Sequence, residues 1–137
     1  STKYRMSIYG ACFNMIGDYW LTGIGVGAFA LVYPRYVYAA SNSYHAHNLF
    51  LQVLLELGVI GFAAFLLLLL TWAQRLYRSI AADKTRGRFL TGTVLSGMTG
   101  LLVQGLTDHL WFNYRIVLLF WIVVGLGLAC AKEGKKA

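Results

Sequence analysis

Residues 47–73, HNLFLQVLLELGVIGFAAFLLLLLTWA, pass from a histidine and an asparagine into an apolar run in which Glu56 is the only carboxylate. From residue 58 to residue 73 there is no charged side chain. A helix facing water on one side keeps polar groups on that side, so an unbroken run of this kind reads as a membrane span. Two more blocks follow it: residues 89–106 (FLTGTVLSGMTGLLVQGL), with uncharged polar groups only, and residues 116–131 (IVLLFWIVVGLGLACA). Each is slightly short of the roughly 20 residues that cross a ~30 Å hydrocarbon layer, and flanking Trp, Tyr and Arg side chains extend the effective length. Only helices satisfy their own backbone groups within a lipid-exposed single segment. The expected fold is therefore an all-α integral membrane protein with three transmembrane helices, preceded by an extracytoplasmic interfacial helix and loop.

Composition agrees. Hydrophobic residues make up 58% of the 137 and charged residues 12%, against roughly 45–50% and 25% in soluble domains. A soluble globular enzyme is excluded on this ground.

Charge sets an expected orientation. Between the first two blocks stand Arg75, Arg78, Lys84, Arg86 and Arg88, and after the third stand Lys132, Lys135 and Lys136; these are eight of the twelve basic residues. The positive-inside rule places both groups in the cytoplasm. Residues 1–57 and the link 107–115 then lie outside, residues 58–131 form the transmembrane region, and 132–137 form a cytoplasmic tail. The net charge of +7 is mainly a topology signal, with attraction to membrane lipids second. Nucleic acid is not an expected partner, because the basic clusters flank spans and form no soluble basic domain. Cys12 and Cys130 fall on opposite sides of the membrane and are expected to pack rather than pair. The chain starts at Ser1 without a leading span, which leads us to expect the C-terminal fragment of a larger multi-span protein.

The external segment holds the polar chemistry. Residues 4–22 place Met6, Ile8, Tyr9, Phe13 and Ile16 at roughly helical spacing, interrupted by Arg5, Asn14 and Asp18, as in a helix lying at the interface. Arg5 has two open readings, an anchor snorkelling to lipid phosphates or a phosphate ligand using its bidentate guanidinium. The run GIGVGAF has GxGxG spacing and no βαβ unit around it, which excludes a dinucleotide fingerprint. Its glycines permit a tight turn and close approach, either of another helix or of a ligand phosphate. Arg35 stands among Tyr33, Tyr36 and Tyr38, suited to packing rings against sugar or lipid, or simply to an aromatic belt.

In a helix beginning near residue 43 or 47, His45, Asn48, Gln52 and Glu56 line one face. Glu56 stands two residues before the span, where a carboxylate requires a partner or a polar cavity. With His47, five such groups at a membrane lip form a candidate site. The spacing of His45 and His47 also permits zinc, but no further His or Cys is close in sequence and His109 belongs to another loop, so no metal is expected. The link TDHLWFNYR brings Asp108, His109 and Arg115 to the same expected side.

The stretch TKYRMSIYGACFNMIGDYWLTGIGVGAF followed by HNLFLQVLLELGVIGFAAFL closely resembles the C-terminal core of the O-antigen ligase and O-antigen polymerase superfamily, whose members are membrane proteins of GT-C-like architecture. There, an arginine-led helix runs into a glycine turn, followed by a His-Asn pair, a Leu-Gln and an E-x-G-x-x-G entering a span. The resemblance implies a glycosyltransferase in the bacterial inner membrane. Such an enzyme takes a saccharide from an undecaprenyl-diphosphate carrier on the periplasmic face and joins it to a glycan, lipid or protein acceptor, without cofactor. By family position His47 is the candidate base or acceptor-positioning group and Arg5 the diphosphate ligand. Arg35, His45, Asn48, Gln52 and Glu56 are candidate substrate-binding residues. The family's other basic residues lie in upstream spans, so this chain alone is expected to be inactive. A polymerase, a protein-directed oligosaccharyltransferase and a non-catalytic transporter segment are the alternatives.

Overall fold

The computed structural model describes residues 2–37, 43–82 and 86–133. Tyr38, Lys84, Lys135 and Lys136, used above for surface packing and orientation, lie outside the described residues. Among the described residues five α-helices follow in order: α1 (Thr2–Tyr19), α2 (Phe29–Val32), α3 (Leu49–Ala82), α4 (Arg86–Gly105) and α5 (Tyr114–Glu133), with 3-10 turns at Tyr33–Tyr36 and Leu110–Phe112. Among the described residues there is no strand. Among the described residues, two helices, α3 and α5, are long and apolar enough to cross a membrane. Helix α4 has the same length as α5, but its Gly, Thr and Ser residues make it less apolar. The chain divides into two compact units: Ser1–Phe65 with Gly105–Phe112, and Leu66–Gln104 with Asn113–Ala137.

In the first unit, α1 buries Ile8, Ala11, Cys12 and Met15. These positions, spaced 3, 1 and 3 apart, are one helical face. Of the apolar residues noted in the sequence, Ile8 lies on this face and Ile16 packs beside it, while Met6 and Phe13 are each 66% exposed. The buried face packs on Phe29, Tyr33, Ala46 and Leu55, and the Phe29 and Tyr33 rings stack with centroids 5.2 Å apart. A large ring pair thus fills the space that the small Ala11 and Cys12 leave.

Helix α3 is broken at Gly58, whose φ of 67° and ψ of −176° are not helical. A break inside a helix strands carbonyls before it and N–H groups after it, and each needs a partner away from water. The glycine turn supplies them. Ile24 N–H donates to the Leu55 carbonyl at 2.8 Å and Gly25 N–H to the Glu56 carbonyl at 3.0 Å, while Val59 N–H donates to the Trp20 carbonyl at 2.8 Å. So close a seam leaves no room for side chains at its crossing. A Cβ at Gly23 would overlap the Glu56 carbonyl, and one at Gly58 the Leu21 carbonyl. Of the two open readings of GIGVGAF, close approach of a helix is therefore the one this backbone carries out.

In the second unit, α3 continues to Ala82, past the end of its apolar run at Ala73. Arg75 and Arg78 therefore sit on helical turns, a position that long cationic side chains tolerate by snorkelling. Trp72 Nε1 donates to the Val124 carbonyl at 2.9 Å, and Ser79 Oγ to the Ala131 carbonyl at 3.2 Å. Contacts that advance together along both helices mean that α3 and α5 run parallel here, with α4 as the return. Gly127 admits Trp72 and Leu76: a Cβ there would come within 2.9 Å of the Trp72 ring, the usual use of a small residue at a membrane helix crossing.

Candidate functional site

The site is built at the start of α3, from the loop before it and the link after α4. Asn48 caps the helix, its Oδ1 accepting the Leu51 N–H at 2.9 Å, which satisfies one of the orphan donors of the first turn. Its Nδ2 donates to the Leu106 carbonyl at 2.9 Å. One side chain thus starts α3 and ties it to the link. One turn on, the nearly buried Gln52 accepts the Ala46 N–H at 2.8 Å and donates from Nε2 to Glu56 Oε1 at 2.8 Å. Glu56 thereby has the partner its position demanded. Together these bonds fold residues 45–47 back over the helix end.

The fold-back places two histidines together. His47 has φ = 51°, the only positive φ at a non-glycine among the described residues. A residue held there costs roughly 1–3 kcal/mol and persists only where its surroundings over-determine it. Its N–H donates to His45 Nδ1 at 3.3 Å, its carbonyl accepts from Tyr9 OH at 3.4 Å, and the two imidazole centroids are 4.2 Å apart. His47 Nδ1 lies 3.4 Å from Asp108 Oδ1. The Asp108 oxygen also accepts the His109 N–H at 2.8 Å. His45 sits 5.6 Å from His109 and 5.0 Å from Phe112, centroid to centroid, and Tyr4 meets His47 edge-on at 6.4 Å.

The electrostatics follow from this packing. Burial lowers the His109 imidazole to about 4, aided by the neighbouring His45. Burial also lowers His45, as does the charge of His47. Partial burial pushes the Asp108 carboxyl upward, but the His109 N–H and the His47 side chain outweigh it and the net shift is downward. The cluster thus combines a stabilised carboxylate with two imidazoles, His45 and His109, that resist protonation. With Nδ1–H turned to Asp108, His47 would present Nε2 as the proton-accepting nitrogen.

Arg5, on the first turns of α1, donates from Nη1 to the Thr107 carbonyl at 3.2 Å, beside Asp108. The structure therefore brings Arg5, His45, His47, Asn48, Gln52 and Glu56 into one neighbourhood. Arg35 stands apart from it, lining a cleft with Asn14, Tyr36 and Val37. There Tyr36 OH donates to Asp18 Oδ2 at 2.6 Å, and this bond raises the phenol to about 12. Arg115 keeps to its neighbour, with its guanidinium 5.7 Å from the Tyr114 ring centroid. Asp108 and His109 were not among the site residues expected from the sequence. The only signal for them was an Asp-His pair on a link predicted to face the same side.

An all-helical architecture among the described residues, with two apolar helices of membrane length and a histidine-rich polar cluster, points to a membrane protein. Residues 1–66 match the family model described as O-Antigen ligase, a match that supports membership of the O-antigen ligase superfamily and with it a ligase- or polymerase-type membrane enzyme. No curated protein and no solved structure matches the chain.

Proposed function

We propose that this chain carries the acceptor side of an O-antigen ligase-type active site, at which a saccharide passes from an undecaprenyl-diphosphate carrier to an acceptor hydroxyl such as that of lipid A-core. The pairing of His47 with Asp108 at 3.4 Å carries the reading. His47 Nε2 takes the acceptor proton as the hydroxyl oxygen bonds to the anomeric carbon, and the bond from that carbon to the diphosphate oxygen breaks. Asp108 positions the imidazole and stabilises its charged form, as the carboxylate does in other Asp-His pairs. Arg5, beside the link, balances the charge that grows on the departing diphosphate. The N-terminus of α3 contributes partial positive charge to the same place, in the manner of discontinuous membrane helices whose ends face anionic groups. Arg35, in its separate cleft, is a second anion contact along the lipid carrier.

Three crossings in the bacterial inner membrane, with this lip on the periplasmic face, accord with parallel α3 and α5 and with the distribution of basic residues. The family resemblance supports a site completed, in a full-length enzyme, by cations on other spans. The decisive experiment replaces His47 or Arg5 by Ala in that enzyme. Glycan transfer should drop by about 10²–10⁴-fold for His47 with membrane insertion unchanged, whereas undiminished transfer would refute the assignment. A polymerase of the same superfamily is the second reading, favoured only by shared family. Deletion separates the two: carrier-linked long chains accumulate without a ligase, single repeats without a polymerase.

A further inference from the structure

We propose that His45, His47 and Asp108 form a binding site for a transition-metal dication of the zinc type, and that its occupancy blocks the proton-accepting role of His47. One ligand atom from each residue can be chosen so that all three lie within 4.8 Å of one another. The closest measured pair, His47 Nδ1 and Asp108 Oδ1, is separated by 3.4 Å. That is the edge of a tetrahedron whose metal–ligand bonds are about 2.0–2.1 Å long, roughly 3.3–3.4 Å. Two ligands thus already stand at coordination spacing, and the third needs only an adjustment of the His45 side chain.

The donor set selects the class of ion. Two imidazole nitrogens and one carboxylate oxygen suit zinc, copper, nickel or iron, whereas magnesium and calcium require more oxygens. Three protein ligands leave one position open, as in non-structural zinc sites. The surroundings are already fixed: the His109 N–H holds the Asp108 carboxylate at 2.8 Å, Ser43 Oγ holds the His45 carbonyl at 2.8 Å, and Tyr9 holds the His47 carbonyl at 3.4 Å. Such outer bonds orient ligands and strengthen metal sites. An ion here displaces the proton shared between His47 Nδ1 and Asp108 and ties both groups down. Metal binding stands on geometry alone, whereas inhibition rests on the proposed role of His47.

The test uses the full-length protein, purified without a histidine tag and titrated with Zn²⁺, with Co²⁺ as a spectroscopic probe and Mg²⁺ as control. The wild type should bind one Zn²⁺ with nitrogen and oxygen neighbours at about 2.0–2.1 Å by X-ray absorption, and Co²⁺ should give a tetrahedral visible spectrum. His45→Gln and Asp108→Asn, which keep side-chain volume, should each weaken binding at least about 100-fold. No Zn²⁺ uptake by the wild type, or uptake unchanged in both variants, would overturn the site. Zinc bound with transfer undiminished would leave the site standing and overturn the role given to His47.

Discussion

His47 is held from three directions, by Tyr9 at its carbonyl, His45 at its N–H and Asp108 at its ring. Removing the acid while keeping its shape should therefore disturb orientation more than folding. Asp108→Asn is expected to lower glycan transfer by about 10- to 10⁴-fold with normal protein levels, and Asp108→Glu to recover part of it. Rates measured in membranes from the two variants check this. His109 gives a pH prediction. Its imidazole sits near 4 in the fold against an ordinary 6.5, so between these values the unfolded link binds a proton that the folded link refuses. Stability of the link is fully present above about 6.5 and is lost as pH falls toward about 4. Hydrogen exchange over residues 105–112 should quicken across that window, and less so in His109→Gln. The residues His47, Asn48 and Glu56 were legible because each sits in one local stretch. Asp108 was not, because its partner lies far along the chain and no periodicity links the two.

At the scale of elements, the break in α3 and the glycine turn form one backbone unit. Gly23→Ala and Gly58→Ala each force a Cβ into a carbonyl at a positive φ, at a cost of more than the roughly 1–3 kcal/mol of such a conformation alone. Gly92→Ala, on α4 with nothing within 4 Å of the added atom, should be neutral or stabilising by up to about 1 kcal/mol. Thermal unfolding in detergent distinguishes them. Sequence reading located the α1 helix and both strongly apolar spans. It ended the first span at Ala73 because hydropathy changes there, whereas helical hydrogen bonding continues to Ala82. It did not single out the buried face of α1: Ile8 lies in the core with the small Ala11 and Cys12, while Met6 and Phe13 stand outside.

For the whole molecule, the proposed topology makes a labelling prediction. Asn113→Cys should react with a membrane-impermeant maleimide added from the periplasm, and Arg88→Cys only after the membrane is opened. Native Cys12 gives little background, because burial raises its thiol to about 12 and leaves almost no thiolate; Cys130 is replaced by Ser. Labelling of both sites from one side would refute three crossings. The family match and the fold support a membrane enzyme, and the parallel run of α3 and α5 gives the return helix α4 its direction despite its weaker hydropathy.

The nine residues 49–57 between the Asn48 cap and the Gly58 break act as a ruler of about 13 Å. Both of its ends are pinned by main-chain or capping bonds. Its length therefore sets how far the histidines stand from the seam, and its phase sets the compass direction in which they face. Deleting one residue within it would draw the lip in by about 1.5 Å and turn it by about 100°, whatever residue was removed. Substitutions on the outer side of this segment should be tolerated where a change in its count is not.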